Sequence, residues 1–193
     1  GFSDLRGSGH FSGRITWGLV VAGVLAKKIT GDIVISAKLI SAGGSSDIGS
    51  AVNKAVEEHD SIGGIIECVV KNVPQGLGEP FFNSFESVLS HLVFSIPAIK
   101  GIEFGSGFAA AGMKGSVHND PFTDSNGKTS TNNAGGINGG ITNGNDIIFR
   151  VAVKPTSSTG IEQSTFNFET KMMETLKVKG RLDTCIALRM PVI

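Results

Sequence analysis

Two short segments of the sequence combine anion-binding side chains with a backbone suited to anions. The first, "GHFSGR", directly precedes an apolar helix whose free N–H groups would hold a phosphate or carboxylate beside Ser12 and Arg14. The second, "KPTSS", follows a strand and joins a lysine to three hydroxyls around Pro155. Each has a plainer interpretation, as a helix cap with a surface charge and as an ordinary strand exit. Taken alone, the first favours that interpretation and the second is only suggestive.

A third candidate is "KGRLD", in which Arg181 and Asp183 occupy alternate positions and would face the same way in an extended chain. Such a pair is most often a structural salt bridge, and less often an oriented arginine that grips an anion. The four histidines show no triad or metal-ligand spacing, and no phosphate loop or dinucleotide fingerprint is present. The residues alone therefore predict a protein that binds a phosphorylated small molecule or cofactor, with no metal site.

The composition limits the classes of partner. Seventeen basic and seventeen acidic residues cancel, which argues against binding nucleic acid or an anionic membrane through bulk charge. A length of 193 residues and a hydrophobic content of 40% predict one folded domain. Cys68 and Cys185 lie in apolar runs and match no metal spacing, which predicts buried, reduced thiols.

The glycine-rich stretch "NNAGGINGGITNG" (132–144) has two interpretations. Its composition favours a flexible linker. Its position, directly before a strand that ends at "KPTSS", favours a loop whose glycines let the backbone approach a ligand closely. The polar segment 118–132 is then the predicted mobile loop.

Helices and strands are mixed without a clean βαβ alternation, which predicts an α+β fold. Residues Ile15 to Ile29 predict a helix that is apolar nearly all round and lies in the core. Ser45 and Ser46 are the candidate caps of a second helix. By periodicity, the other helices are predicted at about 47–58 and 82–94, and strands at 65–71, 98–105, 147–154, 163–168 and 184–189.

Taken together and in order, these segments resemble chorismate synthases. The matching stretches run from the first residues to the last and are "RGSGHFSGRIT", "SIGGIIECVV", "GLGEPFF", "SIPAIKGIEFGSGF", "GSVHND", "NNAGGINGGITNG", "KPTSS" and "GRLDTCIALR". Eight collinear matches are far more specific than any one of them.

The resemblance implies a lyase of the shikimate pathway that converts 5-enolpyruvylshikimate 3-phosphate to chorismate and phosphate by 1,4-anti elimination. The family requires reduced FMN, and the sequence leaves open whether NADPH reduces it on the same protein. The implied fold is a β-α-β sandwich, with a helical layer between antiparallel sheets, assembled as a homotetramer in the cytoplasm. Residues 1–193 would be a single partial domain, the core of such an enzyme.

Motif by motif, the resemblance also implies site residues. The positions implied for cofactor binding are His10, Phe11, Ser12, Pro97, Ala98, Gly139, Lys154, Pro155, Thr156, Ser157, Ser158 and Arg181. The positions implied for substrate binding are Arg14, Arg181 and Asp183. Small residues among them let the backbone approach the flavin closely, while the cations and hydroxyls suit phosphates and carboxylates.

Departures from the family pattern limit what the chain is expected to do. The motifs GESHG and RPGHAD, which carry the family's two proton-handling histidines, are absent, and the chain opens without Met. We therefore expect the central part of a longer enzyme, with no assignable catalytic residue and little turnover by itself. "GHFSGR" and "GRLD" stand where GRSSGR and GRHD are usual, which puts individual contacts in doubt. The alternative is a folded, non-catalytic scaffold that binds no flavin.

Overall fold

A computed structural model describes residues 12–180 and 182–193. Four helices are present in that part of the chain: α1 (Trp17–Thr30), α2 (Ile48–Glu57), α3 (Phe85–Val93) and the short α4 (Gly115–His118). The strands are β1 (Val34–Ala42), β2 (Gly64–Lys71), β3 (Ile99–Phe104), β4 (Ile137–Asn138), β5 (Ile141–Thr142), β6 (Ile147–Val153), β7 (Gln163–Asn167) and β8 (Met172–Leu176). None of these helices is long and apolar enough to cross a membrane.

The framework is a four-stranded antiparallel sheet with the order β1-β2-β6-β3. Alternation along β6 buries Ile147, Phe149, Val151 and Val153 on one face, as the period of two predicts. Residues of α2 and α3 pack against this face and complete the core. The predicted α+β fold is confirmed, and the central sheet is one sheet of the kind the implied sandwich requires.

Two helices begin at caps that the sequence analysis did not identify. α2 is capped by Asp47, whose carboxylate accepts a hydrogen bond from the Ser50 N–H at 3.1 Å, so the prediction of Ser45 or Ser46 as the cap was wrong. α3 begins at Phe85, after a 3-10 turn, and Ser84 accepts from the Ser87 N–H at 3.1 Å. A side-chain oxygen that accepts from the N–H group two or three residues later satisfies one of the free donors at a helix start.

The prediction that the first helix lies in the core was wrong. α1 forms at the expected place, yet none of its residues is buried, and Trp17 and Ile29 are 71% and 85% exposed. A cavity of about 340 Å³, lined by residues such as Val24, Phe149 and Met190, separates it from the sheet. A helix that is apolar all round needs neighbours on every side, and among the described residues only this one side is approached.

Several further segments differ from expectation. β1 and β8 were not predicted, and β8 pairs with β7 as an exposed hairpin. The predicted strand at 184–189 is instead a 3-10 turn, Ile186–Leu188. The side chains of Cys185 and Ala187 are buried in the core, but this segment forms no strand with the described residues. The segment 118–132 forms a closed loop in which Phe122 and Thr129 make a β-bridge, and its mobility stays a prediction.

Candidate functional site

One edge of the central sheet brings two predicted cofactor segments together. β3 begins beside the end of β6, with Ile99 opposite Val153. The Lys154 N–H donates to the Ala98 carbonyl at 2.9 Å, so Pro97 and Ala98 lie directly against the turn 154–158. This pairing joins segments more than fifty residues apart in the sequence.

Ala98 has an uncommon backbone conformation, with φ of 73°. A non-glycine residue with positive φ carries strain that the surrounding structure must hold in place, and such residues cluster at ligand sites. The strained residue therefore sits where the resemblance implies close approach of a ring.

The turn 154–158 presents a concentrated set of donors. The Lys154 ammonium donates to the Ser157 hydroxyl at 2.9 Å, which leaves that hydroxyl proton free to point elsewhere. The side chains of Ser157 and Ser158 are exposed, whereas Thr156 is half-buried. The Thr156 hydroxyl oxygen is buried and has no hydrogen-bond partner among the described residues. Leaving such a group unpaired costs about 1–3 kcal/mol, which makes this atom a candidate contact for a polar ligand.

The segment 59–63 packs behind this turn, a contact that the sequence reading did not predict. The Ser61 hydroxyl donates to the Thr156 carbonyl at 2.6 Å, and the Gly160 N–H donates to the His59 carbonyl at 2.9 Å. A Cβ added at Gly63 would collide with the Val153 carbonyl oxygen. The sequence signal for this packing was Gly63 in "SIGG".

The C-terminal segment passes alongside the same edge. The Ile62 N–H donates to the Thr184 carbonyl at 2.8 Å, which places Asp183 one residue from the segment behind the turn. Asp183 forms an ion pair with Arg189. Arg181, with which the sequence paired it, lies outside the described residues, as do His10 and Phe11.

Ser12 and Arg14 lie at the start of the 3-10 turn that precedes α1. The Ser12 hydroxyl accepts from the Arg14 N–H at 3.2 Å, which is the capping role of the plainer interpretation. The Arg14 side chain is exposed. Among the described residues, neither makes a hydrogen bond or an ion pair with the turn 154–158, and their predicted roles stay predictions.

Gly139 lies at the tip of the β4–β5 hairpin, with φ of 58° and open space around the position of a Cβ. The next residue, Gly140, accepts a hydrogen bond from the Phe85 N–H at the start of α3. Gly140 therefore lies at the start of α3 and Ala98 lies five residues beyond its end. With nine residues, α3 is roughly 14 Å long.

The other glycines of the stretch 132–144 serve packing within the chain. A Cβ at Gly135 would lie 2.5 Å from the Gly105 nitrogen, and one at Gly136 would lie 2.5 Å from the Asp146 carbonyl oxygen. Asp120 fixes the stretch from outside, because its carboxylate accepts from the N–H groups of Asn133 and Ala134 at 2.8 and 2.9 Å. The stretch is therefore a packed loop, and among its glycines Gly139 is the one that faces open space.

Arg150 belongs to a different part of the molecule. On the sheet face opposite the core, it donates to Glu67 at 3.1 Å and to Glu103 at 3.4 Å, and Lys38 contacts Glu67 at 3.4 Å. This row of alternating charges crosses all four strands. It accounts for Arg150 structurally and leaves it out of the candidate site.

The comparisons with known proteins agree with this fold and with the order of the motifs. The family model for chorismate synthase matches residues 1–193. A chorismate synthase from Chitinophaga pinensis is 60% identical, and the alignment covers 100% of this chain and 58% of that protein. One from Dehalococcoides mccartyi is 42% identical over 98% of this chain and 60% of that protein. A crystal structure of a chorismate synthase superposes with a TM-score of 0.71 at 29% identity, covering 76% of this chain and 57% of that one.

The fold is that of an α+β protein, and the edge around residues 154–158 is its candidate site for an anionic ligand. The chain belongs to the chorismate synthase family. It spans about three fifths of the length of the curated relatives it matches.

Proposed function

We propose that this chain forms the cofactor-binding core of a chorismate synthase. The enzyme would convert 5-enolpyruvylshikimate 3-phosphate to chorismate and phosphate in the shikimate pathway, with reduced FMN. Membership of the family supports the reaction. The observation that carries the cofactor site is the turn 154–158 beside Ala98, with the buried, unpartnered Thr156 hydroxyl at its centre.

The residues at this edge fit the chemistry of FMN. The FMN phosphate accepts charge-assisted hydrogen bonds, for which the Lys154 ammonium and the hydroxyls of Ser157 and Ser158 are suitable donors. The Thr156 hydroxyl would gain a partner from any polar atom of the cofactor. When bound, reduced FMN would supply transient electron density that helps the allylic phosphate leave. The residues proposed to hold it are the positions carried over from the family, namely 10–12, 97–98, 139, 154–158 and 181.

The substrate carries one phosphate and two carboxylates, so its binding requires cations. Arg14 and Arg181 are proposed to supply these cations. Asp183, which forms an ion pair with Arg189, is proposed to lie beside the substrate. A planar guanidinium can hold a phosphate or a carboxylate through two parallel hydrogen bonds. The homotetramer and the cytoplasmic location of the family are proposals for the full-length protein.

The isolated chain is expected to show little turnover. General acid–base catalysis by one well-placed group contributes about 10²- to 10⁴-fold in rate, and the family's two proton-handling histidines belong to motifs that this sequence lacks. The chain's own residues would bind and orient the cofactor and hold its phosphate. Chorismate formation near the rate of a full-length enzyme, with reduced FMN supplied, would refute this part.

Titration of FMN into the chain, followed by flavin fluorescence, tests the cofactor site. Saturable quenching is expected, and Lys154→Ala and Arg181→Ala should abolish or greatly weaken it. Lys128→Ala is the matched control, because it removes an exposed lysine from a surface loop and should leave binding unchanged. An absence of quenching by the wild-type chain would favour the alternative, a folded scaffold that binds no flavin.

A further inference from the structure

The segment 59–63 holds the turn 154–160 at three points. Ser61 donates its hydroxyl proton to the Thr156 carbonyl at 2.6 Å. The His59 carbonyl accepts from the Gly160 N–H at 2.9 Å. Between these two bonds, the C-terminal end of β6 and Pro155 pack against the backbone of Gly63. A Cβ at this position would lie only 3.3 Å from the Pro155 nitrogen.

The segment 59–63 is itself fixed from other directions. The Asp60 N–H donates to the Ala55 carbonyl at 3.0 Å, and the Ser61 N–H donates to the Asp60 carboxylate at 2.7 Å. His59 adopts a left-handed backbone conformation with φ of 55°, which turns the chain sharply after α2. The Ser61 hydroxyl therefore projects from a support that does not depend on the turn 154–158.

The carbonyl and the hydroxyl of Thr156 differ in their hydrogen bonding. The carbonyl is committed to Ser61, whereas the hydroxyl is buried and has no partner among the described residues. A hydrogen bond to the carbonyl fixes the plane of that peptide, and the orientation of the Ser157 N–H is fixed with it. Without this bond the turn could rotate and satisfy the Thr156 hydroxyl within the protein.

We propose that Ser61 is a positioning residue for the cofactor site. Its hydrogen bond holds the turn 154–158 in the conformation that presents the Thr156 hydroxyl and the neighbouring donors to a phosphorylated flavin. This inference rests on the proposed function for the identity of the ligand, and on the geometry alone for the conformation of the turn.

The first test compares FMN affinity by fluorescence titration in Ser61→Ala, Ser61→Thr and Ser36→Ala. Ser36 makes the same kind of bond, a hydroxyl donating to the Val69 carbonyl at 3.3 Å, but on a distant part of the sheet. Ser61→Ala should weaken FMN binding about 3- to 10-fold, the effect of losing one neutral hydrogen bond. Ser61→Thr, which keeps the hydroxyl, and Ser36→Ala should both stay within about twofold of the wild type. Equal affinity for Ser61→Ala and the wild type, or an equal loss in Ser36→Ala, would overturn the proposal.

The second test, amide hydrogen exchange without FMN, separates failure of this inference from failure of the proposed function. Ser61→Ala should speed exchange at the Gly160 amide about tenfold and leave the Ile66 amide in β2 unchanged. Unchanged exchange at Gly160 would overturn the positioning role whatever the affinity for FMN. Faster exchange at Gly160 in a chain whose wild type binds no FMN would support the role of Ser61 in shaping the turn and contradict the proposed cofactor site.

Discussion

Substitution of Gly63 by alanine should damage the candidate site through the backbone. The added methyl group would collide with the Val153 carbonyl oxygen and would lie 3.3 Å from both the nitrogen and Cδ of Pro155. A carbon normally stays about 3.3 Å or more from a carbonyl oxygen, so the end of β6 must move by roughly 1 Å. Over-packing of this kind costs about 1–3 kcal/mol, and we expect a loss in the upper half of that range because the colliding oxygen belongs to the backbone.

The free energy of unfolding, measured by urea denaturation with circular dichroism, is the assay. Gly101→Ala is the matched control, since its Cβ would meet only the Ala152 methyl group at 3.6 Å, an ordinary contact in the same sheet. That control should change stability by less than about 1 kcal/mol. FMN affinity should fall with stability in Gly63→Ala. A stable Gly63→Ala variant with unchanged FMN affinity would refute the claim that 59–63 shapes the turn.

Three further predictions concern charged or titratable residues. Asp120→Asn should lower the free energy of unfolding by about 1–2 kcal/mol at pH 7. Burial raises the pKa of Asp120, but its hydrogen bonds with Ala134, Thr131 and Asn133 together outweigh burial, and the folded-state pKa lies below the usual 3.8. The ionised Asp120 therefore contributes its full stabilisation above pH 3.8 and loses it as the pH falls through the lower pKa of the folded state. Urea denaturation of the wild type and of Asp120→Asn at several pH values would check this. Arg150→Met should cost about 2 kcal/mol in the same denaturation assay, because Glu103 would lose its ion pair while half-buried and Glu67 would keep only the Lys38 ammonium. Burial, assisted by Glu67, raises the pKa of Cys68 from 9.0 to about 11, so alkylation by iodoacetamide at pH 8 should be about 100-fold slower than for a free cysteine and should accelerate as the pH approaches 11.

Local pattern was enough to predict the elements that form the core. β6 shows clear alternation of burial, and α2 and α3 carry one apolar face each, so their periodicity matches the environment they meet. Pattern failed where burial did not follow it. β1 carries a β-bulge after Leu39 that interrupts the alternation, and the apolar residues near Cys185 enter the core through a 3-10 turn.

The candidate site was predictable as a set of motifs and unpredictable as an arrangement. The contact between Ala98 and Lys154 depends on the pairing of β3 with β6, two strands separated by the whole 105–146 segment. Tertiary packing decides which distant strands pair, and the residue pattern within each strand does not identify its neighbour. The same is true of Ser61, whose partner Thr156 lies 95 residues away. The glycines of 132–144 suggested approach to a ligand, but packing within the chain accounts for most of them.

The most direct measurement of the central claim is a map of amide chemical shifts by NMR during titration with FMN. The account predicts saturable shifts concentrated at Ala98 and at Lys154, Thr156, Ser157 and Ser158, which surround the unpartnered hydroxyl. Shifts concentrated around Val24 and Met190, which line the apolar cavity under α1, or no saturable shifts at all, would contradict it.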